Sequence, residues 1–322
     1  MRAYWMNTSD TEARIELREA EVPEPGPTQL LVRVRAAGVN RGEFIIGGLT
    51  KAGSAKPLGI EGAGEVVKVG AQVTRFAAGA RVMGRWPGSM AEYVLAEQAQ
   101  TMAVPEGLSW EQAGALPTTY MVAHDMLVLQ GGLKPGGWLL VTGVSSGVGV
   151  ASLQIAKALG AQVIGTSGSR AKLDRLQALG LDVAACTRQA DFQPQVMDAT
   201  GGAGVNLVVN NVGGTVFAEC VRCLAFEGRL ATVGYVDHTL KAEIDLQALH
   251  AKRLVLFGVS QKLTSPAQKA EGTRLFAEQM LPLVASGKLR PLVDRVFPFE
   301  QMPAARAHME ANAHLGKIVI AV

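Results

Sequence analysis

One run of residues most constrains what this chain can fold into: Leu139-Leu140-Val141-Thr142-Gly143-Val144-Ser145-Ser146-Gly147-Val148-Gly149. An apolar segment of strand length ends in glycines, and apolar residues at helical spacing follow over residues 150–159. Glycines permit a tight turn and a close backbone approach. The turn also leaves unpaired N–H groups at a helix N-terminus, which is where a phosphate group is stabilised. A glycine-rich turn alone is weak evidence, because any short strand-to-helix loop can contain glycine. Its context is what gives it weight.

That context is an alternation of strands and helices from about residue 138 to 260. The strands are expected at 138–142, 162–166, 183–185, 205–210, 229–233 and 255–259. Most are continuous apolar runs, as expected when helices cover both faces of a parallel sheet. Gly160 and Gly180 follow the helical segments 150–159 and 171–179, a common helix stop. Six such strands predict a doubly wound Rossmann sheet of the dinucleotide-binding kind. The pyrophosphate would then rest on Thr142, Gly143, Ser145, Ser146, Gly147 and Val148, with Gly149 letting the helix pack on the strand. Asn211, Val212, Gly234, Tyr235, Phe257 and Val259 stand at later strand ends, where the ribose and nicotinamide are expected.

Residues 1–117 read differently, as short apolar runs broken by Gly and Pro, several alternating apolar and polar like half-buried antiparallel strands. After residue 265 the pattern predicts a helix over 268–285, a strand over 293–297, a helix over 302–311 and a strand over 317–322. Periodicity alone assigns this tail to neither domain. Of the 322 residues 48% are hydrophobic and 18% charged, which excludes a disordered chain. The net charge of +3 is spread without a basic patch, so nucleic-acid binding is not expected. Three cysteines cannot build a disulfide framework, and no run of about 18 apolar residues is present. No basic segment followed by an apolar run opens the chain. A cytoplasmic protein without a membrane partner is the expectation.

The second strand of the alternation leads into Gly165-Thr166-Ser167-Gly168-Ser169-Arg170-Ala171-Lys172. A site preferring NAD places a carboxylate near this strand end to accept from the ribose 2′-hydroxyl. Here no Asp or Glu occurs before Asp174. Ser167, Ser169, Arg170 and Lys172 instead offer hydroxyls and cations, the chemistry a 2′-phosphate needs. NADPH is therefore the expected cofactor. The plainer alternative is that Arg170 and Lys172 are solvated residues of the next helix.

The glycine pattern also fits short-chain dehydrogenases, but that family starts with the motif and uses Tyr-x-x-x-Lys. No tyrosine here has Lys four positions later. The chain instead resembles the medium-chain dehydrogenase/reductase superfamily over essentially its whole length. The matching segments are 36–40, 57–66, 147–149 with 154–157, 211–214 and 228–234. The resemblance implies a GroES-like β-rich substrate domain at residues 1–117 and 264–322, and a Rossmann domain at 118–263. It also suggests a homodimer through the edge strand near 255–260.

Zinc members of that superfamily carry Cys where this chain has Asn40 and His where it has Ile60. Their structural-zinc loop holds four cysteines, whereas residues 70–115 contain none. No metal is expected, since a hydrocarbon cannot bind zinc and an Asn amide is a poor ligand. Cys220-x-x-Cys223 lies in a helical segment and is read as packing. The resemblance narrows to the quinone oxidoreductase-like branch, implying hydride transfer from NADPH to a quinone or conjugated acceptor. It places Asn40 beside nicotinamide or substrate; the alternative is that Asn40 bonds a turn backbone. Tyrosines that often follow that Asn are absent from residues 41–47, so quinone itself is open. Tyr120, near His124 at the expected domain crossing, is a candidate donor to a developing oxyanion, with packing as its alternative. Glu61 lies near the metal in zinc members and is structural here, and the family's nicotinamide-reaching Thr is replaced by Val122. An enoyl-thioester reductase, or an NADPH-binding sensor or structural protein without turnover, are the rival readings.

Overall fold

The computed structural model describes residues 1–8, 13–44 and 55–322. They form two compact units, Met1–Met121 with Lys262–Val322, and Val122–Gln261. In chain order the first unit opens with β1 (Arg2–Thr8), β2 (Ala13–Glu19), β3 (Gln29–Gly38), β4 (Ala55–Pro57), β5 (Gly62–Val69), β6 (Arg81–Gly84), β7 (Tyr93–Glu97) and β8 (Thr101–Ala103). Helices α1 (Trp110–Ala115) and α2 (Pro117–His124) follow. The second unit runs β9 (Trp138–Thr142), α3 (Gly147–Ala158), β10 (Gln162–Ser167), α4 (Arg170–Gln177), β11 (Val183–Cys186), α5 (Gln193–Ala199), β12 (Val205–Asn210), α6 (Phe217–Arg222), β13 (Leu224–Thr232), α7 (Leu246–Ala251) and β14 (Val255–Gly258). The chain then adds α8 (Pro266–Ala285), β15 (Val293–Pro298), α9 (Met302–Glu310) and β16 (Lys317–Ala321).

In the first unit β3 is the hub, paired with β5, β7 and β16. That explains why most of its residues are buried even though its sequence mixes apolar and charged types. The larger sheet runs β15-β16-β3-β5-β6-β8, and β2-β1-β4 form a second one. Their apolar faces enclose Tyr4, Met6, Leu30, Val32, Trp86, Phe297 and Ile320. The tail that periodicity could not assign is anchored here: Val319, Ile320 and Ala321 pair antiparallel with Gly38, Ala37 and Ala36. This is the GroES-like architecture, β-rich with a late strand completing an early sheet.

The second unit is a six-stranded, all-parallel sheet of order β11-β10-β9-β12-β13-β14. The chain builds outward from β9 to one side, then returns and builds outward to the other. This is the doubly wound Rossmann order, with its switch point between β9 and β12. Leu139, Leu140 and Val141 have no exposure at all, because β9 has neighbours on both edges and helices on its faces. Strand β13 begins at Leu224, five residues before the expected start. Phe226-Glu227-Gly228 interrupts the apolar run, yet Leu224 still pairs with Val205 across a register shift. Among the described residues no helix is long and apolar enough to cross a membrane.

The glycine turn is seated on β10 as well as β9. Val144 N–H donates to the Thr166 carbonyl (3.0 Å) and Gly143 N–H to the Thr166 hydroxyl (3.2 Å). Beneath it, a Cβ on Gly165 would lie 2.6 Å from Val144 Cγ1 and 2.9 Å from its Cβ. Gly165 is thus the space that lets the turn settle onto the sheet. Gly165→Val is expected to lower stability by about 1–3 kcal/mol through overpacking. Thermal melts should show it, and Val144→Ala in the same background should recover part of the loss.

Candidate functional site

In the second unit the turn after β9 leads straight into the N-terminus of α3. Ser146 caps α3, its Oγ accepting from Gly149 N–H at 3.0 Å. Gly149 packs so closely on the turn that a Cβ would sit 2.6 Å from the Val144 carbonyl oxygen and 2.7 Å from that of Gly143. The twelve-residue helix therefore starts directly at the turn, its positive end formed by Gly147 and Val148 beside the turn residues Gly143 and Ser145. Thr142 behaves differently from its neighbours. It is fully buried, its hydroxyl donates to Asn210 Oδ1 (3.1 Å), and it accepts from Asn211 N–H (3.0 Å). Its side chain ties β9 to the end of β12.

At the end of β10, Ser167 Oγ lies 3.4 Å from Ser145 Oγ and accepts from Ser169 N–H at 3.4 Å. Ser169 caps α4 by accepting from Lys172 N–H. Arg170 opens that helix, exposed. A further cation was not anticipated from the sequence: Arg188, just beyond β11, folds back so that a Cβ on Gly168 would collide with its side chain. Neither the Arg170 nor the Arg188 guanidinium has an ion-pair or hydrogen-bond partner among the described residues. Ser167 pairs with Cys186 across β10 and β11, which brings position 188 alongside 168. The only sequence signal for Arg188 is its place two residues past a short strand.

Asn211 Nδ2 donates to the Thr142 carbonyl (2.9 Å), holding the first loop residue against β9. Val212 and Gly234 are half-buried and Tyr235 is exposed, in the loops after β12 and β13. Phe257 and Val259 belong to β14 and its end, at the edge of the sheet and three strands from β9. At about 4.8 Å per strand they stand roughly 14 Å from the switch point, so the sheet does not bring them together with the glycine turn.

The first unit holds a buried polar cluster around Asn40. Lys317, at the start of β16, donates to Glu61 Oε1 (2.6 Å), Asn40 Oδ1 (2.8 Å) and the Val39 carbonyl (3.1 Å). Asn40 Nδ2 donates to Glu61 Oε1 (2.9 Å) and Glu43 Oε1 (3.1 Å). Thr118 N–H donates to Glu61 Oε2 (2.6 Å) and Gly59 N–H to Glu43 Oε2 (3.0 Å). Both amide hydrogens of Asn40 are therefore taken, and a donor role towards substrate oxygen does not fit. Ile60, between these segments, offers no donor atom, so the pair of positions does not suit zinc. Among the described residues no group of three His, Cys, Asp or Glu side chains could hold a metal ion. Of the stretch after Asn40, Ile45, Ile46 and Gly47 lie outside the described residues.

Tyr120 and His124 are buried at 2% and 1% exposure. Burial pushes the Tyr120 hydroxyl far up, so it stays protonated through the neutral range. Cys220 and Cys223 are buried as well; burial raises both thiols, Cys223 to about 12, so neither is a ready thiolate for metal or redox chemistry.

Burial also pushes Glu43 up to about 7, against the opposing pull of the Asn40 hydrogen bond and Lys317. A carboxyl whose folded value lies above its unfolded one stabilises most at low pH. Stability from Glu43 is thus expected to fall as pH rises from about 4.5 to 7. Denaturant titrations across that window should show the slope, and Glu43→Gln should flatten it.

Two family models match the chain: one described as alcohol dehydrogenase GroES-like domain over residues 26–106, and one as zinc-binding dehydrogenase over residues 147–276. Among solved structures, an NAD-dependent alcohol dehydrogenase is 31% identical, with complete coverage of both chains and a TM-score of 0.86. A mycobacterial protein complexed with NADPH is 27% identical with a TM-score of 0.89, again over the whole of both chains. A quinone oxidoreductase of Pseudomonas syringae pv. Tomato is 27% identical with a TM-score of 0.88 and full coverage of both. Among curated proteins, a phenolphthiocerol/phthiocerol polyketide synthase component of Mycobacterium tuberculosis is 31% identical over 96% of this chain and 14% of its own length. The chain thus spans a small part of the curated relatives it matches.

Proposed function

The chain belongs to the medium-chain dehydrogenase/reductase superfamily of oxidoreductases, and on that premise we propose that it is a zinc-independent reductase using NADPH to reduce a quinone or an activated, conjugated C=C or C=O acceptor. The observation that carries the reading is the end of β10: Arg188 packed against Gly168 and Arg170 opening α4, neither guanidinium with a partner among the described residues, together with Ser167 and Ser169 and no carboxylate before Asp174. A 2′-phosphate is matched by such donors, whereas a bare 2′-hydroxyl lacks the acceptor that would select it. The structural neighbours complexed with NADPH and named as quinone oxidoreductase support the same reading.

The chain's own groups divide the task. The backbone N–H groups of the glycine turn and the N-terminus of α3 would hold the pyrophosphate, and Ser167, Ser169, Arg170 and Arg188 the 2′-phosphate. The loops carrying Asn211, Val212, Gly234 and Tyr235 would take the nicotinamide half. NADPH, when bound, supplies a hydride. Asn40 and Ile60 offer no zinc, so the acceptor must delocalise the arriving charge itself, which conjugation to oxygen allows. Reduction of an enoyl thioester is a second reading, supported by the similarity to polyketide synthases. The reading includes a homodimer paired along β14, whose one strand neighbour among the described residues is β13; sedimentation should return twice the chain mass.

The test follows NADPH or NADH absorbance with quinones, enones, nitroalkenes and an enoyl thioester. Turnover with NADPH is expected, and Arg188→Ala should weaken NADPH about tenfold or more while leaving NADH unchanged, as loss of a charge-assisted phosphate bond predicts. A preference for NADH, alcohol oxidation with NAD, or a zinc requirement would overturn the proposal. Tight NADPH binding with no turnover would favour a sensor or structural role.

A further inference from the structure

The loop after β12 and the loop after β13 are joined through one carboxylate. Asp237 Oδ2 accepts from Thr215 N–H (2.8 Å) and from the Thr215 hydroxyl (2.6 Å), while Oδ1 accepts from Thr239 N–H (2.9 Å). The backbone reinforces it: Asp237 N–H donates to the Val212 carbonyl and Gly214 N–H to the Thr239 carbonyl, each at 3.0 Å. Gly213, at φ 130°, lies so close that a Cβ would collide with the Asp237 carboxylate. On its other flank the same loop is gripped by Asn210, whose Oδ1 accepts from Val212 and Gly213 N–H at 3.1 Å and whose Nδ2 donates to the Gly213 carbonyl at 2.9 Å. Partial burial acts to raise the Asp237 carboxyl, but the Thr215 and Thr239 donors outweigh it and hold the group below the usual carboxylate range. The clasp is therefore charged throughout the neutral range.

Its place in the sheet gives it a task. A ligand lying across the switch point with its 2′-phosphate at the end of β10 puts its other half over β12 and β13. These are the strands whose loops the clasp joins, and those loops carry Asn211, Val212, Gly234 and Tyr235. None of the clasp's atoms needs to touch the ligand. Loops fixed in advance cost no ordering on binding, whereas free loops must be ordered at the ligand's expense.

We propose that Asp237 is a positioning residue that pre-orders the two loops receiving the nicotinamide half of NADPH. The proposal rests on the NADPH reading above. It is tested by calorimetric titration of wild type, Asp237→Ala, Asp237→Asn and Thr215→Val with two ligands, NADPH and 2′,5′-ADP, the second lacking the nicotinamide half. Asp237→Ala should weaken NADPH about tenfold or more while 2′,5′-ADP stays within about twofold of wild type, since one or two ordered loop groups correspond to that factor. Asp237→Asn and Thr215→Val should show the same selective loss to a smaller degree, and they decide the matter if Asp237→Ala does not fold. Equal weakening of both ligands, or of neither, would overturn the clasp. Wild-type protein that binds neither ligand would overturn the NADPH reading itself and the proposal with it.

Discussion

At the seam between β9 and β12 the two halves of the parallel sheet meet, and at the last paired residues one buried hydroxyl ties the two strand ends together. Thr142 Oγ donates to Asn210 and accepts from the backbone of Asn211, while the Asn211 amide returns to the Thr142 carbonyl. A strand end normally leaves backbone groups to water or to a ligand. Here two of them are paired with side chains, the Asn211 N–H with the Thr142 hydroxyl and the Thr142 carbonyl with the Asn211 amide. The same bonds set where the loop after β12 starts, and so where Asn210 and Asp237 can grip it. Buried polar groups in such a network specify one arrangement only when each is satisfied, and every contact just named has its partner.

The first unit solves a different problem with similar means. Glu61 and Lys317 are both almost wholly buried, an arrangement whose desolvation is costly unless further hydrogen bonds share the charge. Asn40, Val39 and Thr118 supply those bonds, and Glu43 joins from the side. Asn40 is therefore better described as part of the ion pair's surroundings than as a reagent.

Much of this is legible in the chain. The run from Leu139 to Gly149 is local: apolar strand, glycines and helix spacing are each set by neighbours within a few residues, so the turn and its helix can be placed closely. The parallel strands are legible because burial on both faces forces continuous apolar runs. Strand β13 starts earlier than its apolar run because its first residues pair through a register shift that no periodicity records. The final strand, Lys-Ile-Val-Ile-Ala, suits either domain by pattern, and only its pairing with β3 assigns it.

The site divides along the same line. The sequence by itself determined the glycine turn between β9 and α3 and the absence of a carboxylate before Asp174, because both depend on residue type at a fixed distance from a strand end. Only the tertiary structure decided that Arg188 lies beside Gly168, that Asn40 has no amide hydrogen to offer, that Tyr120 is buried, and that Asp237 joins two loops. Each of those depends on contacts between segments far apart in the chain, and such contacts follow from packing, which neither composition nor spacing records.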